Sequence, residues 1–209
     1  NSRKSMGYVR DVFQQRHMNN LSGNLGIGHV RYPTAGGVGK EFAQPMYVNA
    51  PYGISLAHNG NLTNSKKLAA ELFHAERRHI NTESDSEVLL NILALELSKQ
   101  EAVFPKPKDY FSAIEKTHER INGAYAVVAL ITGYGILGFR DPLGIRPLTI
   151  GIRKGKNRNE YIISSETALF SALGYKFLRD VGPGEAVFID NSGKIFSKQC
   201  YSGSTKKPC

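Results

Sequence analysis

Residues 53–64 read GISLAHNGNLTN, and the reading of this stretch decides the fold. Gly53 to His58 clusters apolar residues as a short buried strand does, and Asn59-Gly60 then breaks the pattern. An Asn-Gly pair commonly makes a tight hairpin turn, because both residues tolerate positive φ. Here no strand returns. After Asn61-Leu62-Thr63 comes Asn64, a good helix N-cap, and then a helical pattern. An Asn amide and a Gly backbone N–H are therefore expected where a strand emerges towards a helix. Two such donors held side by side stabilise a developing oxyanion.

Upstream, Leu25–Tyr32 (LGIGHVRY) reads as a strand, with Gly26 and Gly28 on one face and Leu25, Ile27, His29 and Arg31 on the other. Strand glycines suggest a close approach to the backbone. Pro33-Thr34-Ala35-Gly36-Gly37 ends that strand as a loop, which puts Arg31 at a strand terminus. A lone Arg is usually a solvated surface residue. At a strand end beside a Gly-rich turn, its fork is better placed to bind the two oxygens of a carboxylate.

Downstream, Asn64–Ile80 reads as a helix with Leu68, Leu72 and Phe73 on one stripe. Ser84-Asp85-Ser86-Glu87 is a capping-box sequence, with Val88, Leu89, Ile92 and Leu93 as the apolar face behind it. Asp85 then falls at the first helical position. A carboxylate there favours the helix dipole by ~0.3–1 kcal/mol and needs no ligand to explain it. Asp109–Ile121 is a further amphipathic helix after the Pro105-Lys106-Pro107 loop. Ala124–Thr132 (AYAVVALIT) is a β-branched apolar run with Gly135–Phe139 as its hairpin partner. Arg140–Leu148 (RDPLGIRPL) is a Pro- and Gly-rich turn between two arginines. Thr149–Ile152, Tyr161–Ser164, Glu185–Ile189 and Lys194–Ser197 read as strands, and Thr167–Leu173 as a short helix. Strands, then a group of helices, then more strands point to an α+β fold and not to a βαβ alternation.

Composition limits the alternatives. A chain of 209 residues, 41% hydrophobic, can bury one sizeable core. Lys+Arg 27 against Asp+Glu 18 gives +9, but the basic residues are dispersed and lack the interleaved aromatics of a nucleic-acid binder. No apolar run approaches the ~18 residues of a membrane span. The two cysteines, Cys200 and Cys209, cannot make a four-ligand zinc site or a disulfide framework. The start, NSRKSMGYVRD, has no apolar signal core and no initiator Met, and the end, GSTKKPC, closes no element. Both ends are expected to be interior to a longer chain.

Five blocks occur in one order: GHVRYPTAGG (28–37), LAHNGNLTN (56–64), INTESDSE (80–87), GAYAVVALI (123–131) and FRDPLGIRPL (139–148). Together they resemble the glutamine amidotransferase domain of the amidophosphoribosyltransferases, over nearly the whole chain. RDPLGIRPL alone is similar to a block of asparagine synthetases; RYPTAG with AHNGNLTN is more specific. A glucosamine-6-phosphate synthase would read more like RWATHG followed by HNGII.

The resemblance implies an N-terminal-nucleophile (class II) fold, a four-layer α/β/β/α sandwich of two antiparallel sheets, incomplete at its N-terminus. Residues 1–199 would be the glutaminase domain and 200–209 the start of a linker to a phosphoribosyltransferase half. By resemblance Arg31 holds the glutamine α-carboxylate with Thr34 nearby, Asp85 holds the α-ammonium, and Asn59 and Gly60 form the oxyanion hole. The family's nucleophile is a Cys at the first position of the mature protein, whose own amine is the base. Residue 1 here is Asn1, so the nucleophile is expected upstream and this stretch alone is expected to be inactive. The function implied is the first committed step of purine synthesis: glutamine is hydrolysed, and ammonia passes to phosphoribosyl pyrophosphate to give 5-phosphoribosylamine. The alternatives are another class II glutamine-dependent synthase or a non-catalytic glutamine-binding module. No cofactor is expected in this stretch. Magnesium belongs to the second half, and an iron–sulfur cluster is left open, with Cys209 better read as a plain linker residue. A cytoplasmic homo-oligomer, with no nucleic-acid or membrane partner, completes the expectation.

Overall fold

The strand through Asn59 and Gly60 lies inside the larger of two sheets. The computed structural model describes residues 1–31, 39–100, 102–201 and 203. Two short helices, α1 (Val9–Val12) and α2 (Gln15–Asn20), precede β1 (Met46–Val48) and β2 (Ile54–Leu62). Three longer helices follow: α3 (Ser65–His74), α4 (Asp85–Ser98) and α5 (Pro107–Arg120). Then come β3 (Gly123–Ile131), β4 (Gly135–Arg140), β5 (Thr149–Lys154), β6 (Asn159–Ser164), α6 (Ala168–Ala172), β7 (Lys176–Asp180), β8 (Glu185–Asp190) and β9 (Ile195–Gln199). The strands form a six-stranded sheet, β1-β2-β3-β4-β8-β9, and a three-stranded sheet, β6-β5-β7, with every pairing antiparallel.

Both faces of the larger sheet are covered, which is why β3 reads as one continuous apolar run. Tyr125, Val127, Ala129 and Ile131 pack into the main core with α4 and α5. Ala126 and Val128, on the opposite face, join Leu148, Ile150, Val181 and Val187 in a second core between the sheets. Within β5, Ile150 points into that second core, while a Cβ on Gly151 would stand 3.0 Å from the Phe170 ring of α6. The layers are thus helices, large sheet, small sheet and a single short helix, the α/β/β/α order expected. Helix α4 has buried residues all round, from Ser86 to Leu97, because β1, β2, α3 and α5 surround it.

Several local expectations need correction. Strand β2 does not break at Asn59-Gly60; it stays in register with β3 to the Leu62↔Gly123 pair. Gly60 makes this possible: its φ is 135°, and a Cβ there would lie 1.9 Å from the Ala124 carbonyl oxygen. Residues 25–31 form no ladder, and nothing lies within 4 Å of a Cβ built on Gly26 or Gly28. Helix α3 ends at His74 and not at Ile80. Arg77 takes a left-handed φ of 54° and the Arg78 N–H donates to Leu72 O, a left-handed stop one residue wider than a Schellman motif. Asn64 occupies the N-cap position, but its side chain binds Arg120 O and Asn122 N instead of capping. Strands β1 and β7 are additions that periodicity did not show.

The turn between β4 and β5 is held by Arg140, the last residue of β4, and by Asp141 after it. The fully buried Asp141 carboxylate accepts N–H bonds from Leu143, Ile145, Arg146 and Tyr125 at 3.0–3.3 Å. The Arg140 guanidinium donates to Gly144 O at 2.6 Å, Arg146 O at 2.5 Å and Val181 O at 2.9 Å. This pair fixes the crossover from one sheet to the other, so Arg140 is a structural cation.

Candidate glutamine site

Backbone parity decides what β2 can offer. Bonds from Thr132 N to Gly53 O and from Thr63 N to Asn122 O bracket the β2–β3 ladder at odd-numbered β2 residues. Even-numbered residues therefore direct N–H and C=O to the other edge. Strand β1 covers that edge only as far as Leu56. Beyond it, side chains take over: Gln44 accepts from His58 N at 2.7 Å and donates to His58 O at 3.3 Å, and Asp85 Oδ2 accepts from Leu62 N at 2.9 Å. Gly60 N–H lies between these two anchors and points out from the same edge.

The Asn59 side chain sits on the face away from α4. Its Oδ1 is 3.0 Å from His29 Nε2. His58, one residue back, faces the helix, where its Nδ1 meets Ser86 Oγ at 3.0 Å. Burial drives the pKa of His58 down, partly opposed by the Asp85 carboxylate, with the His29 and Arg146 charges adding to the lowering. Burial likewise lowers His29, against its bonding to Asn59 and the His58 main chain, with Arg31 acting in the same direction as burial. Both rings are thus biased to the neutral form at pH 7.

Asp85 is the first residue of α4, as expected from the capping sequence, but the capping box does not form. Glu87 turns instead to the preceding loop, accepting from Asn81 and Thr82 main chain and side chains at 2.7–2.9 Å. Burial alone would raise its pKa; these bonds outweigh burial and hold it below the ordinary value. Arg31 is half-buried with its guanidinium 5.6 Å from the Phe42 ring centroid. Its charge acts on His29, and that of Asp85 acts on His58. Arg31, Asn59, Gly60 and Asp85 therefore gather at one end of β2; Thr34 lies outside the described residues. A cavity of about 120 Å³ opens beside them, lined by His29, His58, Asn59, Leu148, Ser164 and Ser165 among others. Arg31, Gly60 and Asp85 are not among its lining residues.

Motif reading alone did not single out His29, His58 or Gln44. Cys200 stands apart, packed in the main core with its Sγ 3.6 Å from Phe111 O and its thiol pushed up to about 12 by burial. Among the described residues no group of three or more His, Cys, Asp or Glu could hold a metal ion, and no helix is long and apolar enough to cross a membrane.

Two antiparallel sheets layered between helices are the architecture of a glutamine amidotransferase domain of the N-terminal-nucleophile type. Residues 38–172 match the family described as "Glutamine amidotransferase domain", and the chain belongs to that family. It is similar to the amidophosphoribosyltransferase of Pseudomonas aeruginosa, 54% identical over 207 residues, covering 99% of this chain and 41% of the relative. The Escherichia coli amidophosphoribosyltransferase is 54% identical over 208 residues, with the same 99% and 41% coverage. A solved glutamine phosphoribosylpyrophosphate amidotransferase from B. subtilis, complexed with ADP and GMP, superposes with a TM-score of 0.73 at 32% identity. That match covers 91% of this chain and 38% of the other. The chain thus spans about two fifths of the length of the curated relatives it matches.

Proposed function

We propose that this chain is the glutaminase part of an amidophosphoribosyltransferase. The observation that carries the reading is the pair of donors on β2. The ladder holds Asn59 in place, and Gly60 N–H points from an edge where its neighbours, His58 and Leu62, are already anchored. A thiolate attacking the glutamine carboxamide carbon turns the carbonyl oxygen into an oxyanion, which Asn59 Nδ2 and Gly60 N–H would receive. Collapse of that intermediate, with the leaving nitrogen taking the proton that the thiol had given to the nucleophile's own amine, expels ammonia and leaves a thioester, which water hydrolyses to glutamate. Arg31, with Thr34 nearby, would bind the α-carboxylate and Asp85 the α-ammonium, so that the ends of a zwitterion set its register.

Cys200 does not suit the nucleophile's role, being buried and biased to the thiol form. In this proposal the thiolate comes from a segment preceding Asn1, and residues 1–209 alone release no ammonia above background. The ammonia would pass to a second site that uses phosphoribosyl pyrophosphate and magnesium to give 5-phosphoribosylamine and pyrophosphate. The reading also carries a cytoplasmic, homo-oligomeric enzyme.

Asn59 tests the reading. In the complete enzyme Asn59→Ala is expected to lower glutamine-dependent turnover by about 10²–10³ while changing glutamine affinity little. Asn59→Asp, which sets a negative charge against the developing one, should be at least as harmful. Turnover, glutamine affinity and melting temperature measured together decide the matter, and a fully active Asn59→Asp enzyme would overturn the proposal.

A further inference from the structure

An asparagine amide can occupy its site in two orientations related by a half-turn about its last side-chain bond. They differ in shape hardly at all and in chemistry completely: one presents two N–H donors, the other an oxygen with two lone pairs. An oxyanion hole works only with the first. The backbone of Asn59 is fixed by its pairing with Ala126, but that ladder leaves the amide free to turn. Among the described residues, the Asn59 amide makes one hydrogen bond, between Oδ1 and His29 Nε2 at 3.0 Å.

The protonation of that bond follows from its partners. A carboxamide oxygen can only accept, so Nε2 carries the proton. In the neutral ring Nδ1 is then bare: it is buried and no described group meets it at hydrogen-bonding geometry, although the nearby His58 main chain favours the charged ring. A half-buried imidazole beside the Arg31 charge is well suited to staying neutral. We infer that His29 is a positioning residue for the reaction: its Nε2–H holds Asn59 Oδ1 and thereby turns Nδ2 towards the oxyanion. This rests on the oxyanion reading of Asn59 and adds the group that selects the productive amide orientation.

The test is a double-mutant cycle in the complete enzyme, reading kcat and KM for glutamine hydrolysis. His29→Leu removes the donor and should lower kcat by about tenfold to a hundredfold with KM nearly unchanged, the scale of misplacing a catalytic group. In an Asn59→Ala background the same change should cost nothing further, because no amide remains to orient. Additive losses would mean a general structural role and overturn the inference. A second pair of variants serves if His29→Leu does not fold. His29→Gln keeps a donor near the Nε2 position, whereas the shorter His29→Asn does not reach it. The Gln variant should retain most activity and the Asn variant should not, and equal activities would overturn the inference. An enzyme indifferent to Asn59→Ala would sink the oxyanion reading and this inference together. One impaired by Asn59→Ala but indifferent to His29→Leu sinks this inference alone.

Discussion

The Asp85 carboxylate accepts the backbone N–H of Leu62 at 2.9 Å, tying the first turn of α4 to the strand that carries Asn59 and Gly60. The bond uses one carboxylate oxygen, Oδ2, and satisfies an edge donor that β1 is too short to reach. Asp85 thus has a structural duty beside the ligand role proposed for it. His58 makes a second link across the same junction, from the strand to Ser86.

Asp85→Asn separates the two duties. The Asn side-chain oxygen can still accept from Leu62 N–H, but the charge that would face the substrate ammonium is gone. Glutamine binding in the complete enzyme should weaken by ~1.5–3 kcal/mol, the scale of a charge-assisted bond. The melting temperature should change little, and synthesis from free ammonia should survive. Asp85→Ala loses both interactions and should also be less stable, by about 1–2 kcal/mol. If Asp85→Asn melts the protein while glutamine affinity stays intact, Asp85 is structural only.

Gly60→Ala should be severe for a steric reason. The new Cβ would lie 1.9 Å from Ala124 O, at a φ of 135° that alanine rarely adopts. Either β2 and β3 separate or the peptide rotates, and both displace the N–H assigned to the oxyanion. We expect a loss of about 2 kcal/mol or more in stability together with loss of glutamine turnover. Thermal melting and a glutaminase assay report the two effects, and a stable, active Gly60→Ala enzyme would contradict this geometry.

These residues also show what a sequence can reveal. Asp85 at the first position of a helix was legible because capping patterns are local, although Glu87 spends its carboxylate on Asn81 and Thr82 instead. The apolar run of β3 was legible because burial on both faces leaves an uninterrupted signature. The Asn59-Gly60 turn was misjudged because the continuation of β2 is imposed by β3, whose Ala126 and Tyr125 pair with Asn59 and Gly60 from far along the chain. Residues 25–31 show the converse: alternation marks a chain able to join a sheet, but no described strand pairs with it. The His29–Asn59 contact spans 30 residues, and no local rule joins an imidazole to an amide at that separation. His29 and Arg31 on one face of an extended segment was the one signal that could have pointed to it.

His118 gives a prediction for pH. It lies on α5, 4% exposed, with Nδ1 2.7 Å from the Tyr125 hydroxyl. Burial raises the Tyr125 pKa well above its usual value, so the phenol keeps its proton and donates it to Nδ1. Burial pushes His118 itself down to about 4 from an ordinary 6.5, with the Asp141 charge opposing. Above pH 6.5 the ring is neutral whether the chain is folded or unfolded, and the stability this neutral ring supports is fully present. As pH falls from about 6.5 to 4, the unfolded chain binds a proton that the folded chain resists, and stability drops by up to roughly 3 kcal/mol. Below that range both states are protonated and the loss stops. His118→Phe keeps a ring in the core but cannot titrate, and it leaves the Tyr125 hydroxyl without its partner. It should therefore be the less stable protein at pH 7.5. The gap to wild type should narrow steadily as pH falls below 6.5, because only wild type loses stability there. Melting temperatures of the two proteins from pH 7.5 to 4.5 measure that gap, and a gap independent of pH would show that His118 does not stay neutral in the fold.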